Sequence, residues 1–326
     1  KNLLEYESQT TLQLHLNKPL EVKYGDLRRD LTVAQQLFDS LSIKETREVI
    51  SLFDLNQECS TGVLHDTLSF QHLSDKEHHH SDSRPRPRPP RRRRLSPHEW
   101  NDQLLLQSQS HNNSIILLDA RNVYESRVGH FCVEGIPTLL PNTRKYSDLP
   151  RVLQDYKETL ASKEKVYMFC TGGVRCEPAS VYLQTLVPHL QIYQLDGGIQ
   201  RYLQEFASSE DPRNCLFQGK NFVFDGRRTD PCGSSGAATA VGKCITCRVP
   251  HDDYDNGHAP VQRKEARCCK CRVLILCCNS CRSKVCLWGE EKTRGHLPKL
   301  YCGGISHCMV DECKHDSGSN NQATII

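Results

Sequence analysis

The chain has 326 residues, of which 37% are hydrophobic and 25% charged, with a formal net charge of +3 and a mean hydropathy of −0.58. That length allows two domains, and no apolar run approaches the roughly 20 residues that cross a bilayer as a helix, so neither a membrane-spanning protein nor, without an apolar leader, a secreted one is expected. Eighteen cysteines, most of them beyond residue 231 and several spaced Cys-x-x-Cys, point to metal ligation in an intracellular, reducing compartment, the cytoplasm first and an organelle second.

The first residue is Lys1 rather than methionine, as in a fragment or a processed form. Residues 1–55 carry modest periodicity: Ala34-Gln-Gln-Leu-Phe-Asp-Ser-Leu41 reads as helical, and the stretch from Leu41 to Leu52 alternates like a strand near its end. This is too short for a secure independent core. Residues 56–94 change character, with the histidine run His78-His-His80 and the stretch Arg84-Pro-Arg-Pro-Arg-Pro-Pro-Arg-Arg-Arg-Arg94. Proline removes donors and like charges repel, so the segment is expected to be an extended, disordered linker. The arginines suit an RNA-attracting arm, a nuclear-localisation-like patch or a simple spacer, and the histidines a polar spacer rather than a metal site.

From Leu95 strands and helices alternate. Ser96-Pro-His-Glu99 has the residues of a capped helix start and leads into a helix through Leu106. Residues 115–119 form a buried strand that carries Asp119 and Arg121 to its carboxyl edge, where they are expected to pair structurally; His130 is likewise read as structural. Residues 149–160 read as a helix, 166–170 as a central strand and 192–195 as another, and the turn Asp196-Gly-Gly198 delivers a helix over 199–206. Such alternation predicts an α/β fold, a parallel sheet with helices on both faces.

The most informative stretch is Cys170-Thr-Gly-Gly-Val-Arg-Cys176, followed by Glu177-Pro178 and a helix through Leu186. A strand ends on Cys170, where open α/β sheets place their chemistry. Gly172 and Gly173 let the backbone turn its N–H groups inward, with Thr171 and Val174 beside them, and the helix N-terminus and Arg175 add positive potential. A thiol there loses its proton more readily than an ordinary cysteine, so Cys170 is expected to be a nucleophile or a persulfide carrier rather than an inert buried residue. A cysteine phosphatase needs five residues between cysteine and arginine; here there are four, and Cys176 occupies the required position. Cys176 itself reads as a resolving thiol or as a buried residue of the first helical turn. Arg144, in Asn142-Thr-Arg144, is a candidate anion contact because of its bidentate fork, with a surface ion pair as the alternative.

The tail contains Cys244-Ile-Thr-Cys247 and Cys278-Asn-Ser-Cys281, with Cys268, Cys269 and Cys271 between them and Cys286 and Cys302 after. Two such pairs supply four thiolates to one structural Zn²⁺. Cys271, with Cys268 or Cys269, Cys286 and Cys302, suits a second site, and residues 272–276 resemble a zinc-ribbon strand. A domain this small lacks the core to fold without metal, and no His/Glu set for activating water accompanies the cysteines, so the metal is expected to be structural. No motif for an organic cofactor is evident. Between residues 243 and 300, twelve lysines and arginines outnumber six acidic residues, which permits a polyanion such as RNA as partner.

The Cys170 loop resembles that of rhodanese-fold proteins, specifically the rhodanese-type tRNA uridine hydroxylases and their eukaryotic relatives with a thiosulfate-sulfurtransferase-like domain. Leu95-Ser-Pro-His-Glu-Trp100, Leu117-Leu-Asp-Ala-Arg-Asn-Val-Tyr-Glu125, Val128-Gly-His-Phe131, Asn142-Thr-Arg144, Tyr193-Gln-Leu-Asp-Gly-Gly-Ile199 and Gly219-Lys-Asn-Phe-Val-Phe-Asp225 fall in that family's order. The resemblance implies a rhodanese domain over 95–228, a cysteine-rich zinc-binding domain over 229–313, a disordered tail over 314–326, and a truncated or diverged ferredoxin-like remnant over 1–55, in which the usual Gly-Ile-Asn-Gly-type motif is absent. It implies oxygen-dependent hydroxylation of the tRNA wobble uridine to 5-hydroxyuridine, with Cys170 essential. Two further readings stay open: a sulfurtransferase passing sulfane sulfur from a small donor to a thiol acceptor, and a non-enzymatic zinc-bearing interaction protein.

Overall fold

The computed structural model describes residues 52, 92–110, 113–206, 215–223, 230–231, 240–254, 265–302 and 324–326. The helix and strand expected over 34–52, the histidine run and the arginine-proline stretch before residue 92 lie outside the described residues, apart from Leu52, which is buried against the sheet.

At the centre is a mixed α/β layer built on a mostly parallel sheet. Its strands are β1 (Arg93–Leu95), β2 (Ile115–Asp119), β4 (Thr138–Leu140), β5 (Lys165–Phe169), β6 (Gln191–Leu195) and β9 (Thr324–Ile325), in the order β1-β6-β5-β2-β4-β9. All neighbours are parallel except β9, which runs antiparallel to β4. Consecutive residues of a strand point to opposite faces, and here both faces are apolar. Ile116, Leu118, Val166 and Met168 pack with Leu149, Val152 and Leu153 of α3 (Leu149–Asp155) and Ala179 and Leu183 of α5 (Cys176–Leu186). Ile115, Leu117, Tyr167 and Phe169 pack instead with Trp100 and Leu104 of α1 (Pro97–Gln109) and Ile199 and Tyr202 of α6 (Gly198–Phe206). A strand buried on both faces needs the continuous apolar run that β2 and β5 show.

Helix α1 starts where the capping residues placed it: Glu99 N–H donates to Ser96 Oγ and Ser96 N–H to Glu99 Oε2. The helix expected over 149–160 is divided at Tyr156 into α3 and α4 (Lys157–Ala161). Two boundaries differ from expectation. Arg93 and Arg94, assigned to the linker, begin the edge strand β1, paired with β6 and held by ion pairs to Glu99 and Glu177. Residues 324–326, assigned to a disordered tail, cover the open edge of β4, with Thr138 N–H donating to Ile326 O at 2.8 Å and Ile326 N–H to Thr138 O at 3.0 Å. Both segments satisfy backbone groups that an uncovered sheet edge leaves unpaired.

A second, antiparallel sheet joins β3 (Gly129–Phe131), β7 (Phe217–Asn221) and β8 (Asp230–Pro231). Gly129 is obligatory there, since a Cβ would lie 2.5 Å from Lys220 O. The pair foreseen between Asp119 and Arg121 is present and fully buried, with Arg121 Nε and Nη2 donating to the carboxylate at 2.9 and 2.7 Å and Nη2 also to Gly129 O at 2.6 Å. It ties β2 to β3. His130 sits in β3 with Nδ1 3.0 Å from Ser126 O.

The cysteine-rich residues share a core with the short helix α2 (Val123–Ser126): Val123, Tyr124 and Val128 pack with Tyr254, Val273, Ile275, Leu276 and Leu287. Tyr254 Oη donates to Tyr124 O at 2.8 Å, and Lys220 pairs with Asp252 at 2.9 Å.

Candidate active site and cysteine clusters

The loop after β5 closes on its own cysteine. Gly173 adopts φ +85°, a region that L side chains rarely enter, and so turns its N–H onto Cys170 Sγ at 3.1 Å. The thiol of Cys176, at the first position of α5, hydrogen-bonds to the same sulfur and is the largest influence on it. Burial works against the thiolate, while the Arg175 charge and the backbone N–H groups of Cys176 and Arg175 favour it, so Cys170 is pulled from the ordinary value near 9 down to about 6. Cys176 is pushed well above the ordinary range, chiefly because its proton is shared with Cys170. Of the two, Cys170 is thus the more readily ionised, although it is 1% exposed and Cys176 fully buried.

The opposite wall of the loop is the start of α6. Ile199 N–H donates to Cys170 O and Gln200 N–H to Thr171 O, both at 2.9 Å. Gly198, at φ +66°, lies so close that a Cβ would meet Cys170 O at 2.5 Å and Thr171 O at 2.6 Å. The outer arc is open: nothing lies within 4 Å of where a Cβ on Gly172 would be, and Val174 is 49% exposed.

Arg175 supplies the positive charge expected beside the loop, and the structure adds its partner. Its guanidinium is closed in a bidentate pair with Glu125, at 2.6 and 2.5 Å, and donates to Thr171 Oγ1 at 2.9 Å. Thr171 Oγ1 in turn donates to Glu125 Oε1 at 3.0 Å. The buried carboxylate offsets part of the arginine charge; what remains still favours the Cys170 thiolate, and the backbone N–H groups of Cys176 and Arg175 add to it. Glu125 itself was missed as a site residue. It ends the run Leu117–Glu125, three residues after Asn122, whose N–H donates to its carboxylate at 3.1 Å; that spacing marks a helix start and says nothing of a partner fifty residues away.

Arg144 lies against the cysteine-rich region, Nη1 donating to Cys271 O at 2.9 Å. The cysteines divide into two groups. Cys244, Cys247, Cys278 and Cys281 bring their sulfurs within 4.8 Å of one another, as do Cys268, Cys271 and Cys302, and either group could hold a metal ion. Cys271 falls in the second group, with Cys268 and Cys302. Cys269 and Cys286 join neither group; their thiols donate to Cys286 O and Leu287 O. The expected strand over 272–276 does not form, because the turn from Cys268 closes on Arg272 at φ +63° and leaves one bridge, Arg267 to Leu274.

No family model matches the chain. It is 41% identical over 195 residues to "Rhodanese-like domain-containing protein 6" of Arabidopsis thaliana, covering 58% of this chain and 31% of the relative. It is 35% identical over 209 residues to a tRNA uridine(34) hydroxylase of Leptospira interrogans (63% and 49%) and 32% identical over 197 residues to one of Chlamydia pneumoniae (57% and 50%). The chain spans between about a third and a half of the length of these curated relatives. Among solved structures it is similar to an As-Sb reductase from Leishmania major, at TM-score 0.30 and 15% identity over 40% of this chain and 87% of that one. A rhodanese-related protein from Thermoplasma volcanium gives TM-score 0.25 and 21% identity over 35% and 92%. These structural likenesses are too distant to bear on the fold, which the sheet order itself defines. Over more than half its length, then, this chain is similar to proteins named rhodanese-like domain-containing protein and tRNA uridine(34) hydroxylase.

Proposed function

We propose that the chain is a rhodanese-fold tRNA-modifying enzyme that hydroxylates the wobble uridine to 5-hydroxyuridine through Cys170. The observation that carries this reading is the buried Cys170 sulfur, held at the carboxyl edge of a parallel sheet with Gly173 N–H turned onto it; the named relatives supply the substrate class. In this reading the thiolate adds to the electrophilic C6 of the uracil ring, and the electron pair displaced onto C5 makes that carbon the one that captures oxygen. Molecular oxygen supplies the hydroxyl, an external reductant of the thiol class supplies two electrons that carry the second oxygen atom to water, and loss of the C5 proton with expulsion of Cys170 restores the C5–C6 double bond. Splitting the substitution this way replaces one hard step with two easier ones, and an unpaired anticodon base reaches the loop's open arc without a duplex to melt.

Residues 95–228, extended to Arg93 by β1, are the rhodanese domain in this reading, and residues 229–313 the metal-bearing module. Cys244, Cys247, Cys278 and Cys281 would hold a structural Zn²⁺. Their all-sulfur donor set suits that ion, and the 3.6 Å between Cys247 and Cys278 Sγ is close to the roughly 3.8 Å edge of a tetrahedron with bonds of about 2.3 Å. The module's excess of basic residues complements the phosphates of tRNA. The test is nucleoside mass spectrometry of tRNA from a deletion strain complemented with the native or the Cys170→Ala chain. Loss of 5-hydroxyuridine on deletion, restored only by the native chain, is expected; an unchanged level in the deletion strain would overturn the reading.

The same cradle favours a second reading, sulfur transfer, since inward N–H groups also stabilise an anionic persulfide. Thiosulfate-to-cyanide transfer that survives Cys170→Ala would overturn it.

A further inference from the structure

The cysteine-rich module is built twice. In its first half the turn Cys244-Ile-Thr-Cys247 ends on Arg248 at φ +63°; Arg248 N–H donates to Cys244 O and Cys244 N–H to Val249 O, both at 2.9 Å, and Lys243 bridges Pro250. In the second half Cys268-Cys-Lys-Cys271 ends on Arg272 at φ +63°; Arg272 N–H donates to Cys268 O at 3.1 Å and Cys268 N–H to Val273 O at 3.0 Å, and Arg267 bridges Leu274. The left-handed region costs a non-glycine residue roughly 1–2 kcal/mol, and the chain accepts that cost twice, at the same step after Cys-x-x-Cys. The correspondence extends to the partner segments. Ile245 N–H donates to Leu276 O at 2.8 Å, two residues before Cys278; Cys269 N–H donates to Leu300 O at 3.0 Å, two residues before Cys302. Each turn therefore docks in the same way on a segment that delivers one more sulfur.

We propose that Cys268, Cys271 and Cys302 form a second metal site, the internal counterpart of the four-cysteine one, and that it takes a thiophilic divalent ion of the zinc class. The three sulfurs lie within 4.8 Å of one another, Cys271 and Cys302 being 3.5 Å apart, and all three residues are buried. Three sulfurs converging away from water match the donor set of a thiophilic ion. On binding, the thiol protons leave to solvent and the sulfur lone pairs enter the ion's coordination shell. The halves differ at one corner: three residues beyond Cys278 stands Cys281, whereas three beyond Cys302 stands Ile305. The repeat thus provides three thiolates, and one further donor completes a tetrahedron. Through Cys271 O the site is joined to Arg144, and so to the sheet.

The test uses the full chain purified under reducing conditions with zinc, with metal counted by native mass spectrometry and elemental analysis. Two ions per chain are expected, falling to one in Cys268→Ser/Cys302→Ser and to one in Cys244→Ser/Cys278→Ser. A cadmium-113 spectrum of the unmodified chain, expected to show two resonances in the multi-thiolate range, reports without any variant having to fold. One ion that persists in Cys268→Ser/Cys302→Ser and disappears in Cys244→Ser/Cys278→Ser would overturn the second site alone. Two ions retained in Cys268→Ser/Cys302→Ser, or a single cadmium resonance, would also overturn it. No bound ion would remove both sites and leave the Cys170 chemistry untouched.

Discussion

Replacing Glu125 with glutamine removes one charge from the polar knot behind the thiolate and keeps its shape. Glu125 is fully buried and accepts two bonds from Arg175 at 2.5 and 2.6 Å, one from Thr171 Oγ1 at 3.0 Å and one from Asn122 N–H at 3.1 Å. Losing one member of a buried, hydrogen-bonded ion pair costs about 3–5 kcal/mol, because the other charge stays buried without a partner. Arg175 is 9% exposed, so solvent offers little relief, while the retained amide oxygen still accepts one bond. The expected loss is therefore at the low end, about 3 kcal/mol by the same reasoning. The thiolate responds with the opposite sense: Cys170 keeps the Arg175 charge that favours it and loses the carboxylate that compensates that charge. Its pKa should fall below the native value of about 6. Urea unfolding followed by circular dichroism reads the first effect. The pH dependence of iodoacetamide alkylation at Cys170, followed by peptide mass spectrometry, reads the second. A stability change below about 1 kcal/mol, the level of an exposed pair, or an alkylation midpoint that rises, would refute this account of the loop.

Because the Cys170 pKa is lowered, the thiolate is present above about pH 6 and is lost as pH falls through that value; Cys176→Ala removes its largest stabiliser and should move the acid limb of alkylation upward, toward the ordinary cysteine value. Gly198→Ala places a Cβ 2.5 Å from Cys170 O at positive φ and should cost more than about 2 kcal/mol, whereas Gly172→Ala meets open space and should stay within about 1 kcal/mol, both measured by thermal unfolding. Arg144→Ala loses the donor to Cys271 O from an exposed side chain and should lower stability by about 0.5–1.5 kcal/mol with KM for tRNA unchanged; a raised KM at unchanged stability would instead make Arg144 a substrate contact.

The helix start at Ser96 and Glu99 was legible because its partners lie within one turn, and β2 and β5 because burial on both faces leaves an unbroken apolar run. Arg93 and Arg94 were not, since a charged, proline-flanked stretch carries no sign that the edge of β6 needs a partner. The strand expected over 272–276 failed for a local reason: the apolar run is real, but the Cys268 turn fixes Arg272 in a left-handed conformation and its side chains go into the core shared with α2.

At the loop itself, the order strand, Cys170, two glycines, Arg175 and helix determined by itself that a thiolate would sit on inward N–H groups, because every part of that device lies within a few consecutive residues. Only the tertiary structure decided that Arg175 is closed by Glu125, that Arg144 reaches the cysteine-rich module, and that of the cysteines outside the two pairs Cys268, Cys271 and Cys302 converge while Cys269 and Cys286 do not. Each of those pairings joins residues between about thirty and well over a hundred positions apart. Spacing along the chain cannot encode which distant partner arrives. Packing decides it, and here α2 does so by presenting Glu125 to the loop while Val123 and Tyr124 anchor the module.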